Sequence, residues 1–558
     1  MHSGKNMLKQ LTMAATMAVA LSASVHAKAL KCVAFGWEYS LISMRDLVGY
    51  VDELDKTSID GIGIYLNEES KNGAWASTHT IMHLPWKKEV FEELLPTARE
   101  LTSHHSMRES FIHTFRAPSR HRLGWTDDAK WGLVTSNMTL AAWFAKQGGF
   151  RGLSMDPEDY HNQEQFIRRA GEPPYDELVP LARRRGQEVF RDVFREFPDV
   201  HLLGFWMLSL RQTYLGSDDP LRDAREMGDL WPAFVDGIFD VLPETAKIVD
   251  GCEDSYRYEA ERGDYYRAAW QMRGTLVRLL SPENRAKYLN SLSVSFGFYM
   301  DRYVAPKDSN WYAEPVNGSA LGHFEQNFAQ AADAADEYIW FWGESNCWGL
   351  WTSDCHQKKD KRAISHVTWE ERLPGLFDVM MATKAPYRFA AKRMKEEQIG
   401  KDRPVPLNAN VECRSASEVV PAPYEAWQSR HFRNGRLYCD LTEGDGDSQS
   451  LCAEGVGNGA FSLEIKDGVR SGQRYLIMLS AKGDIHGTDV AWKRDGKWIH
   501  GTHPPVQVRF GEEQNGWRRG RAVIRVPEGA DGFVVRMMMW QNPGEKCHFD
   551  NVRVISLL

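Results

Sequence analysis

Acidic residues stand directly after several apolar, strand-like segments of this chain. In the clearest case, GLSMDPEDY, the apolar residues give way to Asp156, Pro157 and Glu158. Proline has no N–H to donate to a sheet, so a strand must end there. Glu253 and Glu344 follow two further segments of the same kind. Two carboxyl groups that flank a glycosidic bond can hydrolyse it, because one protonates the leaving oxygen while the other attacks or activates water.

Four of these acids are the candidate catalytic residues. We expect Asp156 or Glu158 to work with Glu253, and Glu344 is a substitute partner. A single carboxylate after a strand more often caps a helix or pairs with an arginine. Acids crowded around one proline repel one another, however, and this crowding favours a functional role for Asp156 and Glu158. The sequence does not decide between retention and inversion, which differ in the separation of the two carboxyl groups.

Strand-like and helix-like segments alternate between Lys31 and Glu397. The strand-like segments are KCVAFGWEYS, GIGIYLN, SFIHTF, GLSMDPE, VHLLGFWML, KIVDGCED, LSVSFGFYM and YIWFWGES, beginning near residues 31, 61, 110, 152, 200, 247, 292 and 338. Their near-continuous apolar character is typical of parallel strands buried on both faces. The alternation predicts an α/β fold, a (β/α)8 TIM barrel over residues 28–398, closed by a long helix from Trp369 to Glu397. The acids then lie at the carboxyl ends of strands four, six and eight, where barrel active sites are built.

The character of the chain changes after residue 398. Residues 399–410 are rich in proline and polar side chains, which predicts a linker. From Val411 onward the apolar segments are short and are separated by glycine-bearing turns, and Asp495-Gly496 is a strong hairpin signal. This pattern predicts an all-β jelly-roll sandwich over residues 411–558.

Aromatic and polar residues at the predicted strand ends are candidates for substrate binding, because indole rings stack well on flat apolar faces such as those of sugars. The candidates are Trp37, Glu38, His113, Arg116, Tyr160, Trp206, Asp254, Asn346, Trp348 and Trp351. A structural role is the alternative for Glu38, and we expect Trp340 to fill the barrel core. Trp492, Trp498 and Trp540 are candidate platforms in the sandwich, with core packing as the alternative for Trp540.

The first 27 residues predict a secretory signal peptide. Lys5 and Lys9 precede the apolar stretch LTMAATMAVALSAS, and Val25-His26-Ala27 provides a cleavage site after Ala27. No later segment supplies the roughly 20 apolar residues needed to cross a bilayer. We therefore expect a soluble protein that is secreted or periplasmic.

Charge and motifs exclude several other classes. The net charge is −8 over 558 residues and no long basic run occurs, so the footprint of a nucleic-acid binder is missing. The chain has no CxxC, HxH or HExxH pattern, no GxSxG elbow and no nucleotide-binding loop. We predict no metal and no cofactor, a polysaccharide or oligosaccharide as partner, and a monomer.

Eight cysteines in an exported chain predict disulfide bonds, although spacing alone does not fix their connectivity. The candidate pairs are Cys347 with Cys355, Cys439 with Cys452, and Cys413 with Cys547.

The chain resembles bacterial polysaccharide-degrading enzymes in which a glycoside-hydrolase barrel precedes a sandwich domain. Its acids after strands four and six are placed similarly to those of α-galactosidase-like and α-fucosidase-like barrels. Carried over to this sequence, the resemblance implies that Asp156 is the nucleophile and Glu253 the acid/base. Strand seven ends in Tyr299, Met300 and Asp301 without a glutamate, which departs from the cellulase-like clan.

The segment from Trp517 onward resembles the closing strands of jelly-roll carbohydrate-binding modules. It has a tryptophan, a strand that ends in proline, an apolar strand, and then Phe549-Asp550-Asn551-Val552. The resemblance implies a module that holds polymer near the barrel, although such sandwiches also serve as structural appendages.

These observations together predict an exported glycoside hydrolase that acts on a polysaccharide or oligosaccharide. One alternative is a non-catalytic carbohydrate-binding protein, whose rim acids would not converge. Another is a lyase or esterase acting on polysaccharide, for which His113 and Tyr160 would matter more than Glu253. The sequence specifies neither the sugar, the linkage and its anomeric configuration, nor endo or exo action.

Overall fold

The computed structural model describes most of the chain between Leu30 and Leu557. The described ranges are 30–40, 42–116, 122–158, 164–209, 217–316, 318–349, 367–399, 407–408, 411, 420–431 and 435–557. The predicted signal peptide lies outside them. The chain divides into two compact units, Met1–Lys384 and Ala385–Leu558.

The strands of the first unit form a nearly closed, barrel-like sheet. They are β1 (Lys31–Gly36), β2 (Gly61–Tyr65), β3 (Asn67–Glu69), β4 (Trp75–Ser77), β5 (Phe111–Arg116), β6 (Gly152–Asp156), β7 (His201–Gly204), β8 (Lys247–Asp250), β9 (Leu292–Val294), β10 (Phe296–Tyr299) and β11 (Tyr338–Gly343). All except the small antiparallel pair β3 and β4 join one nine-stranded sheet of parallel pairs, in the order β10-β11-β1-β2-β5-β6-β7-β8-β9. The end strands β9 and β10 follow one another in the chain and are separated by Ser295 alone. Every predicted barrel strand coincides with a strand of this sheet.

Helices occupy the connections between successive parallel strands and also follow the last strand, β11. They are α1 (Trp37–Ser40), α2 (Met44–Leu47), α3 (Val51–Leu54), α4 (Lys88–Ser103), α5 (Asp128–Gly148), α6 (Tyr175–Glu196), α7 (Pro220–Met227), α8 (Trp231–Val241), α9 (Asp264–Arg273), α10 (Pro282–Ser291), α11 (Ala320–Ala334), α12 (Trp369–Arg372) and α13 (Leu376–Lys384). Helix α4 shows why they form: its buried residues recur at spacings of three and four, which gives one apolar stripe that faces the sheet.

Aromatic side chains fill the space that the sheet encloses. Trp340 is fully buried, as predicted, and its ring stacks on Phe205 with centroids 4.2 Å apart. Phe35 packs edge-on against both rings. A side chain at position 63 would collide with it, since a Cβ on Gly63 would lie 2.0 Å from the Phe35 ring. These contacts make the interior of the sheet a packed core rather than a channel.

The predicted long helix from Trp369 to Glu397 is wrong, because the structure divides this stretch into three helices. Helix α12 ends before Pro374 and Gly375, and Gly375 adopts a φ of +93°, which interrupts the helical backbone. The Glu370 carboxylate accepts the Gly375 N–H at 2.8 Å and so stabilises the break. A further proline, Pro386, begins the last helix, α14 (Pro386–Ile399).

The second unit contains two antiparallel sheets that share one hydrophobic core. Its strands are β12 (Leu407–Asn408), β13 (Tyr424–Gln428), β14 (Arg436–Asp440), β15 (Ser450–Glu454), β16 (Gly459–Ile465), β17 (Arg474–Gly483), β18 (Gly487–Arg494), β19 (Lys497–Trp498), β20 (Val506–Gln507), β21 (Arg509–Gln514), β22 (Trp517–Arg525), β23 (Gly532–Met539) and β24 (Lys546–Ser556). One sheet has the order β14-β15-β24-β17-β22-β21, with β12 also on β24, and the other has the order β13-β16-β23-β18-β19, with β20 on β18.

Two details of this unit bear on the predictions. Asp495 and Gly496 both have positive φ, 48° and 71°, and join the paired strands β18 and β19, which confirms the hairpin. Leu407 and Asn408 fall in the range predicted as a linker, yet they pair with β24. A short segment without apolar periodicity can therefore still form a strand by backbone pairing.

The three predicted disulfide pairings are wrong. The free thiols include Cys347, Cys452 and Cys547, each of which belongs to one predicted pair. Cys439 is disulfide-bonded. All three free thiols are buried, so each is accommodated as a small apolar side chain.

No helix among the described residues is long and apolar enough to cross a membrane.

Candidate active site

Strand β6 delivers Asp156 to the end of the sheet. The strand stops where Pro157 cannot donate a ladder hydrogen bond. Asp156 is 4% exposed, and its Oδ1 accepts the N–H of Glu158 at 2.9 Å. This short turn fixes the orientation of the Asp156 carboxylate and places Glu158 directly beside it.

A buried carboxylate shapes the turn that follows β8. Asp250 is fully buried and accepts the backbone N–H groups of Met207 and Leu208, each at 3.0 Å. It therefore ties the loop after β7 to the end of β8. The chain then turns through Cys252, whose φ is +45°, and the N–H of Glu253 donates to the carbonyl of Phe205 at 3.1 Å. The turn at Cys252 and the hydrogen bond to Phe205 together fix the backbone position of Glu253.

The negative charges of the carboxyl groups at the ends of β6 and β8 act on Glu253. Burial raises the pKa of Glu253 well above its usual value, and the negative charges of Asp156, Glu158 and Asp254 raise it further. A hydrogen bond from Tyr256 opposes the shift without cancelling it. The arrangement therefore favours a protonated Glu253 next to other acids, which is how acid and base roles are separated within one site.

Glu344 lies after β11 in a different set of contacts. Its carboxylate accepts the indole N–H of Trp342 at 3.1 Å and the hydroxyl of Tyr299 at 3.3 Å. The backbone N–H of Glu344 donates to Asp301 at 2.8 Å. Burial raises the pKa of Tyr299, and the charge of Glu344 raises it further, so the hydroxyl stays a proton donor to this carboxylate. Glu344 is consequently well oriented by side chains from β11 and from the end of β10.

Three aromatic rings beside Glu344 form a wall at this end of the sheet. Tyr299 lies with its ring centroid 4.6 Å from that of Trp311 and 5.6 Å from that of Tyr256. The guanidinium of Arg257 stacks over Trp311 at 4.0 Å. We call Tyr256, Tyr299 and Trp311 the aromatic wall. Its residues were not among the predicted binding residues, although Tyr299 closes a predicted strand, which was a usable signal.

Glu38 and Trp348 occupy the core around the loop after β11. Glu38 is 2% exposed and accepts the backbone N–H of Trp348 at 3.2 Å and the hydroxyl of Tyr50. The Trp348 ring is 1% exposed and is stacked near Phe377 at 6.3 Å. These contacts match the structural alternative for Glu38. The Trp348 ring is likewise enclosed in the core.

The other predicted binding residues are distributed unevenly. His113 is fully buried inside the sheet, with Nδ1 3.0 Å from the Ser154 hydroxyl and its ring 4.2 Å from that of Tyr65. Trp206 and Asn346 are buried, at 6% and 4% exposure. The partly exposed members of the set are Trp37 and Asp254.

Three predicted residues fall outside what the structure describes. Tyr160 and Trp351 lie in segments beyond the described residues. Arg116 ends β5 and its Cα is paired with that of Asp156, but its side chain is not described. Their roles stay predictions.

The candidate platforms in the second unit differ in exposure. Trp492 is 3% exposed and packs edge-on against Phe533, so it is a core residue. Trp498 and Trp540 are 46% and 61% exposed. The two exposed rings lie in or next to the sheet of β13, β16, β23, β18 and β19.

Comparison with known proteins identifies no family for this chain. No family model and no curated protein matches it. Among solved structures it is similar to a family 22 carbohydrate-binding module of Xyn10B from Clostridium thermocellum, with 12% identity over 27% of this chain and 94% of that one and a TM-score of 0.21. The CBM22-1 xylan-binding domain of Xyn10C from Paenibacillus barcinonensis gives 14% identity over 28% of this chain and 98% of that one, with a TM-score of 0.21.

A third similar structure is the enzymatically active domain of tailspike protein 4 of bacteriophage CBA120, with 13% identity and a TM-score of 0.21. The match covers 26% of this chain and 21% of the tailspike chain. Similarity at this level establishes neither a shared fold nor a shared activity.

Proposed function

We propose that this chain is an exported glycoside hydrolase that cleaves a polysaccharide or oligosaccharide with Glu253 as the general acid. The observation that carries the proposal is the grouping of Glu253 with Asp156 and Glu158 at the ends of strands β6 and β8, where burial first and then their charges raise the pKa of Glu253. A carboxyl group that stays protonated beside an ionised one can give its proton to a leaving oxygen. The second acid of the pair is Asp156, whose carboxylate the N–H of Glu158 orients.

The proposed reaction uses the two carboxyl groups in different protonation states. Glu253 transfers its proton to the glycosidic oxygen as the bond to the anomeric carbon breaks. The Asp156 carboxylate attacks that carbon, or removes a proton from a water molecule that attacks it. Water then supplies the new hydroxyl at the anomeric carbon, and one proton returns to Glu253, so the site is restored.

The positions of the two strands leave both stereochemical outcomes open. Strands β6 and β8 flank β7, so they lie about 10 Å apart at the usual strand spacing. Side chains reaching toward each other from strands at that spacing can bring their carboxyl groups to about 5 Å, which favours retention, or to roughly 6.5–9.5 Å, which favours inversion. The stereochemistry of the first product would tell them apart.

The aromatic wall and Glu344 are the proposed sugar-binding side of the site. Trp311 and Tyr256 are partly exposed aromatic side chains of the kind that pack against sugar rings. Glu344, held by Trp342 and Tyr299, offers oriented oxygens that could accept sugar hydroxyl protons. In this proposal Glu344 binds sugar, and it would act as the partner of Glu253 only if activity did not require Asp156.

The proposal extends to the architecture. Since only Ser295 separates β9 from β10, the two count as one interrupted strand, and the sheet then has the eight strands of a (β/α)8 barrel. We propose that the second unit is a jelly-roll domain that binds glycan, and that the signal peptide is removed after Ala27.

The test is reducing-end release by the purified mature protein on a panel of neutral, uronic and sulfated polysaccharides. We expect activity on at least one of them, and a loss of at least about a hundredfold in both Asp156→Asn and Glu253→Gln, because each removes one half of the acid pair. Glu92→Gln is the matched control, since Glu92 is an exposed acid on helix α4, and we expect it to retain activity.

Four outcomes would separate the alternatives. Full activity in both site variants would contradict the proposed pair and direct attention to Glu344. Unsaturated products would indicate a lyase, and deacylated but uncleaved polymer an esterase. Binding without turnover on every substrate would contradict the hydrolase and favour a carbohydrate-binding protein.

A further inference from the structure

A group of metal-ligating side chains lies on one face of the seven-stranded sheet in the second unit. Cys452 of β15 and His548 of β24 are direct cross-strand partners, and Asp440 lies on the adjacent strand β14. Successive side chains of a strand point to opposite faces. The neighbours Leu451 and Phe549 belong to the hydrophobic core, so Cys452 and His548 point to the other face. They form a mixed thiol, imidazole and carboxylate cluster.

The cluster is compact and buried. Ligand atoms of Asp440, Cys452 and His548 all lie within 4.8 Å of one another. The Cys452 Sγ is 3.9 Å from the His548 Nε2. The three residues are 8%, 0% and 3% exposed. Ligands at about 2.0–2.3 Å from a tetrahedral zinc ion are separated by similar distances, so a small shift would bring all three onto one ion.

The hydrogen bonds around His548 leave its Nε2 lone pair facing the cluster. The single hydroxyl proton of Ser450 is donated to the carbonyl oxygen of Glu443 at 2.5 Å. The Ser450 Oγ, which is 2.9 Å from the Nδ1 of His548, must therefore accept the Nδ1–H. A neutral imidazole protonated at Nδ1 has a bare Nε2, and an outer hydrogen bond of this kind is how proteins orient histidine ligands of metals.

The surrounding charges can accommodate a divalent cation. The Glu443 Oε2 is 3.8 Å from the His548 Nε2, which makes it a candidate for a fourth ligand, and its Oε1 is paired with Lys482. Lys546 donates to the Asp440 Oδ2 at 3.2 Å, and its side chain is 41% exposed. An entering cation would replace this ammonium as the counter-charge of Asp440, and the lysine could turn outward into water without a burial cost.

We propose that Asp440, Cys452 and His548 bind a zinc ion, with Glu443 or a water molecule as the fourth ligand. One thiolate, one imidazole and one carboxylate form a ligand set that suits zinc. Binding converts the Cys452 thiol to a thiolate and releases its proton to solvent, while the neutral His548 releases none. The site is separate from the carboxylates of the barrel and independent of the proposed hydrolase.

The zinc site would act as a structural staple. Its three ligands come from three adjacent strands, β14, β15 and β24, of which β14 is the edge strand of the sheet. Few elements hold an edge strand in place besides its single neighbour. A metal that binds only the folded form would raise the stability of the second unit.

The test is a titration of the chelator-treated full-length chain with Co²⁺, followed by Zn²⁺. Co²⁺ reports a thiolate ligand through a charge-transfer absorption band and tetrahedral geometry through its d–d bands. We expect one equivalent of Co²⁺ per chain to produce both, one equivalent of Zn²⁺ to abolish both, and Zn²⁺ to raise the unfolding midpoint of the second unit.

Variants separate the ligands from the orienting residue. Cys452→Ser should abolish the charge-transfer band. Ser450→Ala keeps all three ligands and should weaken metal affinity by about 10- to 100-fold, as loss of such outer hydrogen bonds usually does. The matched control is His104→Gln, which removes a histidine from the thiol-free Asp52, Asp55 and His104 cluster of the first unit and should leave the band unchanged.

Two results would overturn the proposal. One is a folded wild-type chain that shows no thiolate band with Co²⁺, since the Cys452 and His548 contact would then be an S–H···N hydrogen bond alone. The other is a band that persists in Cys452→Ser. If Cys452→Ser does not fold, as judged by circular dichroism, the wild-type titration and Ser450→Ala decide the matter.

Discussion

Replacing Glu253 with glutamine should change how the stability of the barrel depends on pH. The pKa of Glu253 is raised in the folded chain by burial and by neighbouring carboxylates. The folded state therefore holds the Glu253 proton more tightly than the unfolded state does. Its contribution to stability is fully present below the ordinary value of 4.5 and is lost as the pH rises through the folded pKa.

The size of the effect follows from the one proton involved. Where the folded form is protonated and the unfolded form is ionised, the wild type should lose about 1.4 kcal/mol of unfolding free energy per pH unit from this group. Glutamine does not titrate, so Glu253→Gln should lack this loss. The variant should match the wild type most closely at acidic pH and become progressively more stable than it as the pH rises above 4.5.

The assay is chemical unfolding of both proteins at a series of pH values, followed through the transition of the first unit. Glu92→Gln, which removes an exposed carboxylate on α4, serves as the control and should run parallel to the wild type. Parallel curves for Glu253→Gln and wild type would refute the raised pKa and, with it, the assignment of Glu253 as a general acid. This result needs no knowledge of the substrate.

Three further predictions concern the surroundings of the site. Asp250→Asn should destabilise the barrel by about 1–3 kcal/mol in chemical denaturation, because the charged acceptor of the Met207 and Leu208 N–H groups is lost. Phe205→Ala should cost about 3–5 kcal/mol in the same assay, since it removes the ring that stacks in the core. Trp311→Ala should raise KM by about two- to tenfold with little change in kcat, because its ring belongs to the aromatic wall and not to the acid pair.

The barrel strands were predictable because their burial dictates their composition. A strand covered on both faces needs apolar residues at nearly every position, as in β11, and such runs stand out in a sequence. The division of the stretch after Trp369 was missed for the opposite reason. Helical apolar spacing continues across Pro374-Gly375 and outweighed this turn signal, yet the positive φ of Gly375 shows that the backbone turns there.

Part of the candidate site was predictable and part was not. Pro157 ends a strand by covalent necessity, so the position of Asp156 at the sheet end could be inferred from sequence. The structural role of Asp250 could not, because it depends on backbone N–H groups more than forty residues earlier in the chain. The aromatic wall likewise depends on Trp311 folding back onto Tyr299, a contact that no periodicity encodes.

Asp250, which ends β8, and Glu253, which follows it, show why residue type alone could not assign their roles. Asp250 and Glu253 are both carboxylic acids, and burial raises the pKa of each. Around Asp250 the opposing influences are hydrogen bonds from backbone N–H groups and the Ser209 side chain, which favour the ionised form and hold it as a structural acceptor. Around Glu253 the neighbours are other carboxylates, which disfavour ionisation. Hydrogen-bond donors thus give Asp250 a structural role. The negative charges around Glu253 favour its protonated form, which has a proton to transfer.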